Sequence, residues 1–419
     1  MHRITIESLA FGGYGITRID KKVCFIPFGL PGDELLVEIR EQKRGINWGK
    51  ILEVYFPSPH RYDPICPVFE SCGGCHWLHF DYNEQLSWKA KMVADALRRI
   101  AKISNSEIES ITSGIMPLAY RTRAQFHFRC EDGNLKLGFH GQKSNTVVDL
   151  RICPLLHGGI NDMIPYIRHI FENIEPMGSE GTIELTQNPI NGETLIWLGL
   201  GDEDKDSAGE LAAKLLEIDG VVAVDWENNP GDKVAFDIAL GDIKAWVAPG
   251  SFSQSSFMNN EVMLDLVKAL AGDINGKTIM DIYCGWGNLS LPLAAAGASV
   301  TGYDEDKDSI ETANLSVSDN RIIACTYKTS TDKKLIKALY DYRGALDLII
   351  LDPPRTGAKV IAKAVAESQA RRIIYVSCDP NTFARDIKIM ADAGRTLRKT
   401  YVLDMIPQTY HIETVNYIE

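Results

Sequence analysis

The last third of the chain alternates short apolar runs with helical segments, and this alternation limits the fold more strictly than any other feature of the sequence. Strand-like runs at 278–283, 299–303, 346–351 and 373–376 each end at turn or polar residues. Parallel strands joined by helices form a sheet that binds ligands at the carboxyl ends of its strands. The pattern predicts a doubly wound α/β domain with its functional site at that edge.

A glycine turn, Cys284-Gly-Trp-Gly287, follows the first of these strands, and Asp304 stands at the tip of the second. This is the layout of a nucleotide-binding α/β fold. The fingerprint of dinucleotide enzymes has a third glycine, and this chain has Ser290 at that position. The departure favours an adenosine ligand without a pyrophosphate, such as S-adenosylmethionine, whose ribose hydroxyls Asp304 would bind.

Reactive side chains follow the later strands: Asp352 after the third, Cys378 after the fourth, and the segment Gln408-Thr-Tyr-His-Ile-Glu413 beyond them. Methylation of uracil at C5 needs such a set, because a thiolate must first add to C6 to make C5 nucleophilic. A base must then remove the C5 proton so that the thiolate can leave. We predict Cys378 as the nucleophile and Glu413 as the base, with His411 as a weaker alternative.

Residues 1–57 contain short strand-like runs separated by turn residues such as Gly12-Gly13 and Pro31-Gly32-Asp33. This pattern predicts a small barrel of the OB type, a fold that often binds single-stranded RNA through aromatic and basic side chains. The candidates for such contacts are Phe11, Tyr14, Phe28, Arg40, Lys43, Arg44 and Trp48.

A cysteine-rich stretch follows, with Cys66, Cys72 and Cys75 in Cys-Pro-Val-Phe-Glu-Ser-Cys-Gly-Gly-Cys. Thiolates at this spacing predict a metal centre, which needs a fourth ligand. Cys153 is favoured because a proline follows it, as in cluster-binding loops, whereas Cys130 lies in a strand-like run and is predicted to pack. The chemistry alone leaves zinc and iron–sulfur both open, since His76 and His79 allow a mixed zinc site.

The net charge of −12 is unusual for a protein that binds nucleic acid, but the acids are concentrated. Residues 202–242 hold twelve Asp and Glu against three Lys and Arg, and residues 85–130 hold eight Lys and Arg against three acids. The basic segment, with helical periodicity over 81–103, is predicted to help grip RNA. Alternating strand and helix patterns from 120 to 247 predict an α+β central domain.

The chain has no apolar run long enough for a membrane span, and its beginning is unlike a signal peptide. Nine cysteines, an odd number in a chain of 419 residues, argue for thiol or metal chemistry and against a disulfide framework. We therefore expect a cytoplasmic protein without membrane contact, and a monomer as the default.

From end to end the sequence resembles the RNA 5-methyluridine (uracil-C5) methyltransferase family. The resemblance implies a TRAM domain at 1–57, a central domain at 58–247 and a Rossmann-like, S-adenosylmethionine-dependent methyltransferase domain at 248–419. It also implies that the central domain holds a 4Fe-4S cluster. The matching motifs are Phe252-Ser-Gln254, Asp281-Ile-Tyr-Cys-Gly-Trp-Gly-Asn288, Asp352-Pro-Pro-Arg355, Ser377-Cys-Asp-Pro380 and His411-Ile-Glu413. The implied cluster ligands are Cys66, Cys72, Cys75 and Cys153, and the implied donor-binding residues are Gln254, Tyr283, Asn288, Asp304 and Asp352.

The sequence departs from the family pattern at several positions. Asp379 replaces the usual asparagine beside Cys378, which would raise the pKa of the thiol unless the carboxylate is hydrogen-bonded elsewhere. Ser256 and Gln408 stand where asparagine and histidine are frequent, and 322–330 lacks the acid that usually lies near the adenine. We expect slower or differently tuned chemistry and no loss of it.

The resemblance implies a structured RNA substrate whose target base must be unstacked. We favour 23S rRNA, with the T-loop of tRNA second. Two other functions stay open. A non-catalytic RNA-binding iron–sulfur protein with a degenerate methyltransferase domain is one, and a cytosine-C5 methyltransferase is the other.

Overall fold

The structure is a computed structural model of the full chain, and it describes residues 1–419 except 105, 112–115, 132–133, 174–179, 201–204, 228, 230–234, 241–242, 249 and 343. The acidic stretch 202–242 lies partly outside the described residues. Within the described ranges, no helix has the length and apolar character that crossing a membrane requires.

The N-terminal part is a sheet of short strands in the order β1-β5-β6-β4-β3-β2. The strands are β1 (His2–Thr5), β2 (Ser8–Ala10), β3 (Tyr14–Ile19), β4 (Lys22–Pro27), β5 (Glu34–Lys43) and β6 (Ile46–Phe56). Alternate residues such as Cys24, Ile26, Leu35 and Val37 are fully buried, so each strand turns one face to a small core. The predicted strands are present, and β2 is an addition that the sequence pattern did not indicate.

Helix α1 (Tyr82–Ala96) follows the cysteine-rich stretch, continues into a π-helical turn over Leu97–Ala101 and is succeeded by β7 (Glu107–Ile111). Asp81 begins the helix, because its carboxylate accepts hydrogen bonds from the backbone N–H groups of Asn83 and Glu84.

The central part is an α+β unit, as predicted, with strands in the order β10-β9-β8-β11-β12-β13. Its elements are β8 (Arg123–Glu131), β9 (Asn134–His140), β10 (Val147–Asp149), α2 (Gly158–Glu172), β11 (Glu180–Gln187), β12 (Thr194–Leu200), α3 (Lys205–Leu215) and β13 (Val221–Trp226). Neighbouring strands are antiparallel except β12 and β13. A hairpin of β14 (Phe236–Leu240) and β15 (Ile243–Val247) follows.

The C-terminal part is the predicted α/β unit, with helices α4 to α9 between or beside its strands. The helices are α4 (Phe257–Ala271), α5 (Leu291–Ala295), α6 (Lys307–Asp319), α7 (Asp332–Asp341), α8 (Ala362–Glu367) and α9 (Pro380–Asp392). The strands are β16 (Thr278–Ile282), β17 (Ser299–Asp304), β18 (Cys325–Thr329), β19 (Leu348–Leu351), β20 (Arg372–Ser377), β21 (Leu397–Leu403) and β22 (Glu413–Ile418). Their order is β18-β17-β16-β19-β20-β22-β21-β7, and β16 to β20 are parallel.

The sheet contains one antiparallel strand and one added edge strand that the prediction of a parallel sheet did not include. Strand β22 inserts between β20 and β21 and is antiparallel to both, while β7 joins the edge parallel to β21. Helix α1 and the π-helical turn after it pack into the core of the C-terminal unit. Val93 and Leu97 lie there with Phe383 and Ile387. A segment within 58–247 thus completes the C-terminal sheet. The domain boundaries at 57 and 247 stay a prediction.

Candidate active site

The carboxyl ends of β16 and β17 are joined through Asp304. Its two carboxylate oxygens accept hydrogen bonds from the backbone N–H groups of Gly285 and Asp306, both at 2.9 Å. Gly285 has a φ of 51° and nothing within 4 Å of where a Cβ would lie, so the space on that side of the turn is open. We call this open space at the carboxyl ends of the strands the crevice. β17 and β19 flank β16 on opposite sides, and this strand-order reversal is where ligands of such sheets bind.

Two predicted donor-binding residues are engaged by other side chains. The Tyr283 hydroxyl donates to Asp332 at 2.7 Å, and the Asn288 amide exchanges hydrogen bonds with Asn260 at 2.8 and 2.9 Å. Asp332 begins α7 just beyond β18, so an acid does stand at the sheet edge two residues after the window 322–330. The sequence therefore does carry an acid after the third strand, at a position later than the prediction placed it.

This edge of the sheet is strongly acidic. Asp281 is fully buried on β16, and burial raises the pKa of its carboxyl to about 8. Asp352 is partly buried, and burial followed by the charge of Asp304 raises its pKa to about 7. A cationic ligand relieves such a cluster, because a nearby positive charge favours the ionised carboxylates. The sulfonium of S-adenosylmethionine has the matching charge.

The backbone register of the inserted strand brings Cys378 and Glu413 together. Ser377 pairs with Thr414 across β20 and β22. Because the two strands are antiparallel, the next pair in this register is Cys378 with Glu413. Burial, followed by the charges of Glu413 and Asp352, raises the pKa of the Cys378 thiol to about 12. Burial and the charge of Asp352 hold the pKa of Glu413 well above its ordinary value. The thiol and this carboxyl therefore share one weakly solvated site.

Arg355 is the cation that opposes these shifts. It lies exposed at the end of β19 and lowers the pKa of both Cys378 and Glu413. The same charge, together with burial, lowers the pKa of His411 to about 3. His411 is therefore neutral at physiological pH and a poor proton acceptor compared with a carboxylate.

The Asp379 carboxylate is hydrogen-bonded to the backbone, which is the condition under which we expected no rise in the pKa of the thiol. Its Oδ1 accepts hydrogen bonds from the backbone N–H groups of Asn381 at 2.8 Å and Thr382 at 2.9 Å, and the residue begins helix α9. A helix N-terminus stabilises a negative charge. Asp379 thus has a structural reason for its carboxylate, and it is absent from the charges that shift the Cys378 pKa.

The loop that carries Gln254 is held from two sides. Arg123 forms a two-bond ion pair with Glu184, donates to the Ser253 carbonyl at 2.9 Å and lies 5.7 Å from the Phe252 ring centre. Ser256 is fully buried and begins α4, where its hydroxyl accepts a hydrogen bond from the backbone of Asn259. The replacement of asparagine by Ser256 therefore supplies a helix cap.

The structure brings the four predicted cluster cysteines together. Each of Cys66, Cys72 and Cys153 acts electrostatically on Cys75, and burial raises the pKa of Cys75. All four are free thiols. Backbone N–H groups face two of the sulfurs: Gly74 donates to Cys72 at 3.4 Å, and Leu155 and Leu156 donate to Cys153. Cysteine sulfurs with N–H donors and the nearby cation Arg121 are chemically suited to a cluster of iron and sulfide.

The cysteines are not arranged around a metal position in this structure. Within the described ranges, no group of three or more His, Cys, Asp and Glu side chains could hold a metal ion, so zinc and a cluster both stay predictions here. His79, an alternative ligand from the sequence, bonds the Phe28 carbonyl at 2.9 Å and packs against the rings of Phe28 and Phe69. His76 packs against Tyr410.

Three of the eight basic residues in segment 85–130 have structural roles, whereas Lys91, Arg98, Arg99 and Lys102 are exposed, so the contribution of this segment to RNA binding stays a prediction. Lys89 is fully buried in an ion pair with Asp404, Arg123 is paired with Glu184, and Arg121 lies beside the cysteines. Two of the aromatic candidates of the N-terminal sheet, Tyr14 and Trp48, lie under the ammonium group of Lys143 at 4.9 and 3.9 Å from the ring centres.

Comparison with known proteins identifies the family. Residues 241–419 match the family described as tRNA (Uracil-5-)-methyltransferase, and residues 2–52 match the TRAM domain. An uncharacterised RNA methyltransferase of Thermosynechococcus vestitus is 30% identical over 436 residues, which cover 98% of this chain and 96% of the relative. The chain belongs to the RNA (uracil-5-)-methyltransferase family.

Other relatives of this RNA methyltransferase also match over the whole chain. The 23S rRNA (uracil(1939)-C(5))-methyltransferase of Shewanella sediminis is 29% identical over 430 residues, covering 100% of this chain and 96% of the relative. The crystal structure of Pyrococcus abyssi tRNA (uracil-54, C5)-methyltransferase with S-adenosyl-L-homocysteine is 25% identical. It has a TM-score of 0.77 and covers 100% of this chain and 99% of the other. The enzyme is an S-adenosylmethionine-dependent methyltransferase that acts on RNA.

Several residues that shape the site of this methyltransferase had no recognisable signal in the sequence. Asn161 holds the Cys153 backbone through two hydrogen bonds, at 2.9 and 3.0 Å. Gln85 on α1 forms a hydrogen bond with Gln408, which lies 323 positions later in the sequence. Neither belongs to a motif, and only the folded chain brings each to its partner.

Proposed function

We propose that this enzyme methylates C5 of a uridine in 23S rRNA through a covalent adduct between Cys378 and C6, which Glu413 then resolves. The observation that carries the proposal is the pairing of β20 with β22, which extends to Cys378 beside Glu413. S-adenosylmethionine supplies the methyl group. The enzyme's own residues must therefore activate C5 and later remove its proton.

The proposed nucleophile acts as a thiolate. Cys378 adds its sulfur to C6, and the π electrons of the C5–C6 bond move to form an enolate at O4, so that C5 attacks the methyl group and S-adenosylhomocysteine leaves as a neutral thioether. Because the pKa of the thiol is about 12 in the free enzyme, the attack depends on ionised thiol that is scarce at neutral pH. Arg355 is the cation that favours ionisation.

Glu413 is the proposed base, since it is adjacent to the sulfur and the pKa of His411 is too low for efficient proton removal. The carboxylate accepts the C5 proton, the C5–C6 double bond forms again, and the sulfur leaves C6 as a thiolate. The raised pKa makes Glu413 a stronger base once it is ionised. The positive charges of Arg355 and the bound methyl donor favour that ionisation.

We assign Gln254, Tyr283, Asn288, Asp304 and Asp352 to the donor side of the crevice. Asp304 is proposed to bind the ribose hydroxyls next to the open turn at Gly285, and Asp332, held by Tyr283, to lie near the adenine. The geometry of the sheet edge supports this assignment for all but Gln254, since the others end or follow β16, β17, β18 and β19. Gln254 lies in the loop before α4 that Arg123 holds.

Replacing Arg355 by methionine is expected to lower methylation at pH 7 about tenfold, because loss of the cation raises the pKa of Cys378 and Glu413. Both groups react in their ionised forms, so the acid limb of the pH–rate profile moves upward and activity recovers at higher pH. Single-turnover rates between pH 6 and 10 measure this shift.

The control for that measurement is Arg355→Lys, which keeps the charge and should keep the profile near its original position. An equal loss of rate at every pH in the methionine variant would contradict the electrostatic role and indicate a contact with RNA alone.

The choice of 23S rRNA rests on whole-chain relatives that carry that activity in their names, and tRNA is the second candidate because of the similar Pyrococcus abyssi enzyme. To test it, purified enzyme receives labelled S-adenosylmethionine with separate pools of unmodified 23S rRNA and tRNA, and the labelled nucleoside is identified after digestion. Label in 5-methyluridine from 23S rRNA alone is the expected result. Label in tRNA alone selects the second candidate, and label in 5-methylcytidine refutes uridine methylation.

We propose further that Cys66, Cys72, Cys75 and Cys153 hold a 4Fe-4S cluster. Four free thiols acting on one another, backbone donors to the sulfurs and the cation Arg121 support this proposal. The methylation steps described above use none of the cluster's chemistry. Its contribution would be to hold the cysteine-rich stretch and the Cys153 loop together.

Anaerobically purified enzyme should contain about four iron atoms and four sulfides per chain, and Cys75→Ser should lose most of both. Metal and sulfide analysis with the visible absorption spectrum measures this, and Cys130→Ser is the matched control because Cys130 lies on β8 and is not among the thiols that act on Cys75. One zinc per chain without sulfide would refute the cluster.

A further inference from the structure

The loop before β22 contains an unusual residue at its centre. Gln408 has a φ of 66°, a conformation that side-chain-bearing residues adopt rarely. Its backbone carbonyl accepts hydrogen bonds from the N–H groups of His76 and Trp77, both at 3.0 Å. Its N–H donates to the Gln85 side chain at 3.1 Å. We call residues 404–412 the base loop, since they lead directly into Glu413.

Gln85 completes this junction from helix α1. The side chain is fully buried, and its amide nitrogen lies within hydrogen-bonding distance of Gln408 Oε1 at 2.9 Å, the Phe80 carbonyl at 2.8 Å and the Trp77 carbonyl at 3.1 Å. One buried amide thus connects the end of the cysteine-rich stretch, the start of α1 and the base loop.

Other buried polar contacts hold the rest of the base loop. Lys89 forms a fully buried ion pair with Asp404 at 2.6 Å, and the Tyr120 hydroxyl donates to the Pro407 carbonyl at 2.9 Å. Asn259 donates to the Met405 carbonyl at 3.1 Å. The loop is therefore fixed from three directions, by α1, by the residue before Arg121 and by α4.

This concentration of polar anchors suits a positioning role better than a contribution to stability. Buried ion pairs and amides add little net stability compared with apolar packing, but they select one conformation when every group has a partner. A catalytic group must be held within about 0.5 Å of its working geometry. The carboxylate that follows the loop is the group that would gain from such precision.

We propose that Gln85 and Gln408 are positioning residues that hold the base loop so that Glu413 can remove the C5 proton. The inference rests on the proposed function, because it assigns the two glutamines to the second half of that reaction. Neither side chain is expected to contact the thiol, the RNA or the methyl donor. Thiol addition and methyl transfer should therefore survive when the junction is broken, while release of the product is slowed.

The test uses Gln85→Met, which keeps the length of the side chain and removes its hydrogen bonds. With unmodified RNA and S-adenosylmethionine, turnover is expected to fall about tenfold to a hundredfold, as for a small misplacement of a catalytic group. A methylated enzyme–RNA adduct that survives SDS should accumulate at the same time. A purely structural defect would lower adduct and turnover together.

Two reference variants make the outcome decisive. Arg395→Met removes three hydrogen bonds to the carbonyls of Ala366, Ser368 and Ala370, near the N-terminal end of β20 and away from Cys378. It should lose stability without accumulating adduct. Glu413→Gln should accumulate adduct with natural RNA, and its failure to do so would refute the proposed function instead of the positioning role.

Gln408→Leu serves if Gln85→Met does not fold, since it removes the side-chain bond to Gln85 and a longer one, at 3.5 Å, to the Pro117 carbonyl, and keeps the backbone bonds of residue 408. Adduct accumulation in either glutamine variant, at a thermal midpoint no lower than that of Arg395→Met, supports the proposal. Slow turnover without adduct in the folded glutamine variants, while Glu413→Gln accumulates it, overturns the proposal.

Discussion

Replacing Cys378 by alanine is expected to lower RNA methylation by at least about 10⁴-fold, which is the largest effect of any single change in this enzyme. Without the sulfur no adduct forms at C6, and C5 of uracil stays too weak a nucleophile to accept the methyl group. The same variant should form no SDS-stable adduct with RNA that carries 5-fluorouridine at the target, where fluorine cannot be removed as a proton is. Gel analysis of the adduct and single-turnover transfer of labelled methyl groups measure both effects.

Donor binding separates this loss from misfolding. Cys378→Ala should bind S-adenosylmethionine as the unchanged enzyme does, because the thiol follows β20 whereas the proposed ribose acid Asp304 ends β17. Cys130→Ala is the matched control and should keep full activity. Methylation that persists in Cys378→Ala would refute the covalent mechanism.

Replacing Glu413 by glutamine is expected to lower turnover about 10³-fold, within the range for loss of a general base. Glutamine has nearly the same shape, but it cannot accept the C5 proton, so the methylated adduct cannot break down. Adduct with unmodified RNA should therefore accumulate to about one equivalent per enzyme. Mass spectrometry of the trapped complex should show that the methyl group is already attached.

Loss of the negative charge has a second consequence for the nucleophile. Glu413 is the first of the charges that raise the Cys378 pKa, so the thiol of Glu413→Gln should ionise at lower pH. Adduct formation should then be at least as fast as in the unchanged enzyme at neutral pH. Glu367→Gln, a change at an exposed carboxylate that bonds Tyr340, is the control. Turnover at the normal rate in Glu413→Gln would exclude Glu413 as the base.

The inserted strand explains why the site has this electrostatic character. Strand β22 carries Glu413 into a position where burial and Asp352 disfavour its charge, close to a thiol that is disfavoured for the same reasons. Groups that interact this closely lose their protons in successive steps, and the pKa of each step belongs to the set and not to one residue. Binding of a cationic methyl donor beside Asp304 and Asp352 would therefore favour ionisation of the reactive pair.

The departures from the family pattern have structural explanations that weaken the degenerate-enzyme hypothesis. Asp379 and Ser256 both cap helices, and Gln408 forms the junction with Gln85. A negative charge at the N-terminus of α9 is stabilised by the helix. The effect of these positions on the rate of the chemistry stays a prediction, as does the monomeric state.

Local patterns in the sequence determined the order of strands and helices in the C-terminal unit and the loops that carry Asp304 and Cys378. Hydrophobic periodicity and turn residues are properties of neighbouring positions, so the chain records them directly. The role of Glu413 came from the chemistry that the reaction needs and from resemblance to a family, and its position came from the antiparallel insertion of β22. The tertiary structure alone decided that Lys89 and Arg123 point inward to Asp404 and Glu184, and that Gln85 meets Gln408 across 323 positions. Such contacts depend on how whole elements pack, and a pairing between distant segments leaves no mark in either segment by itself.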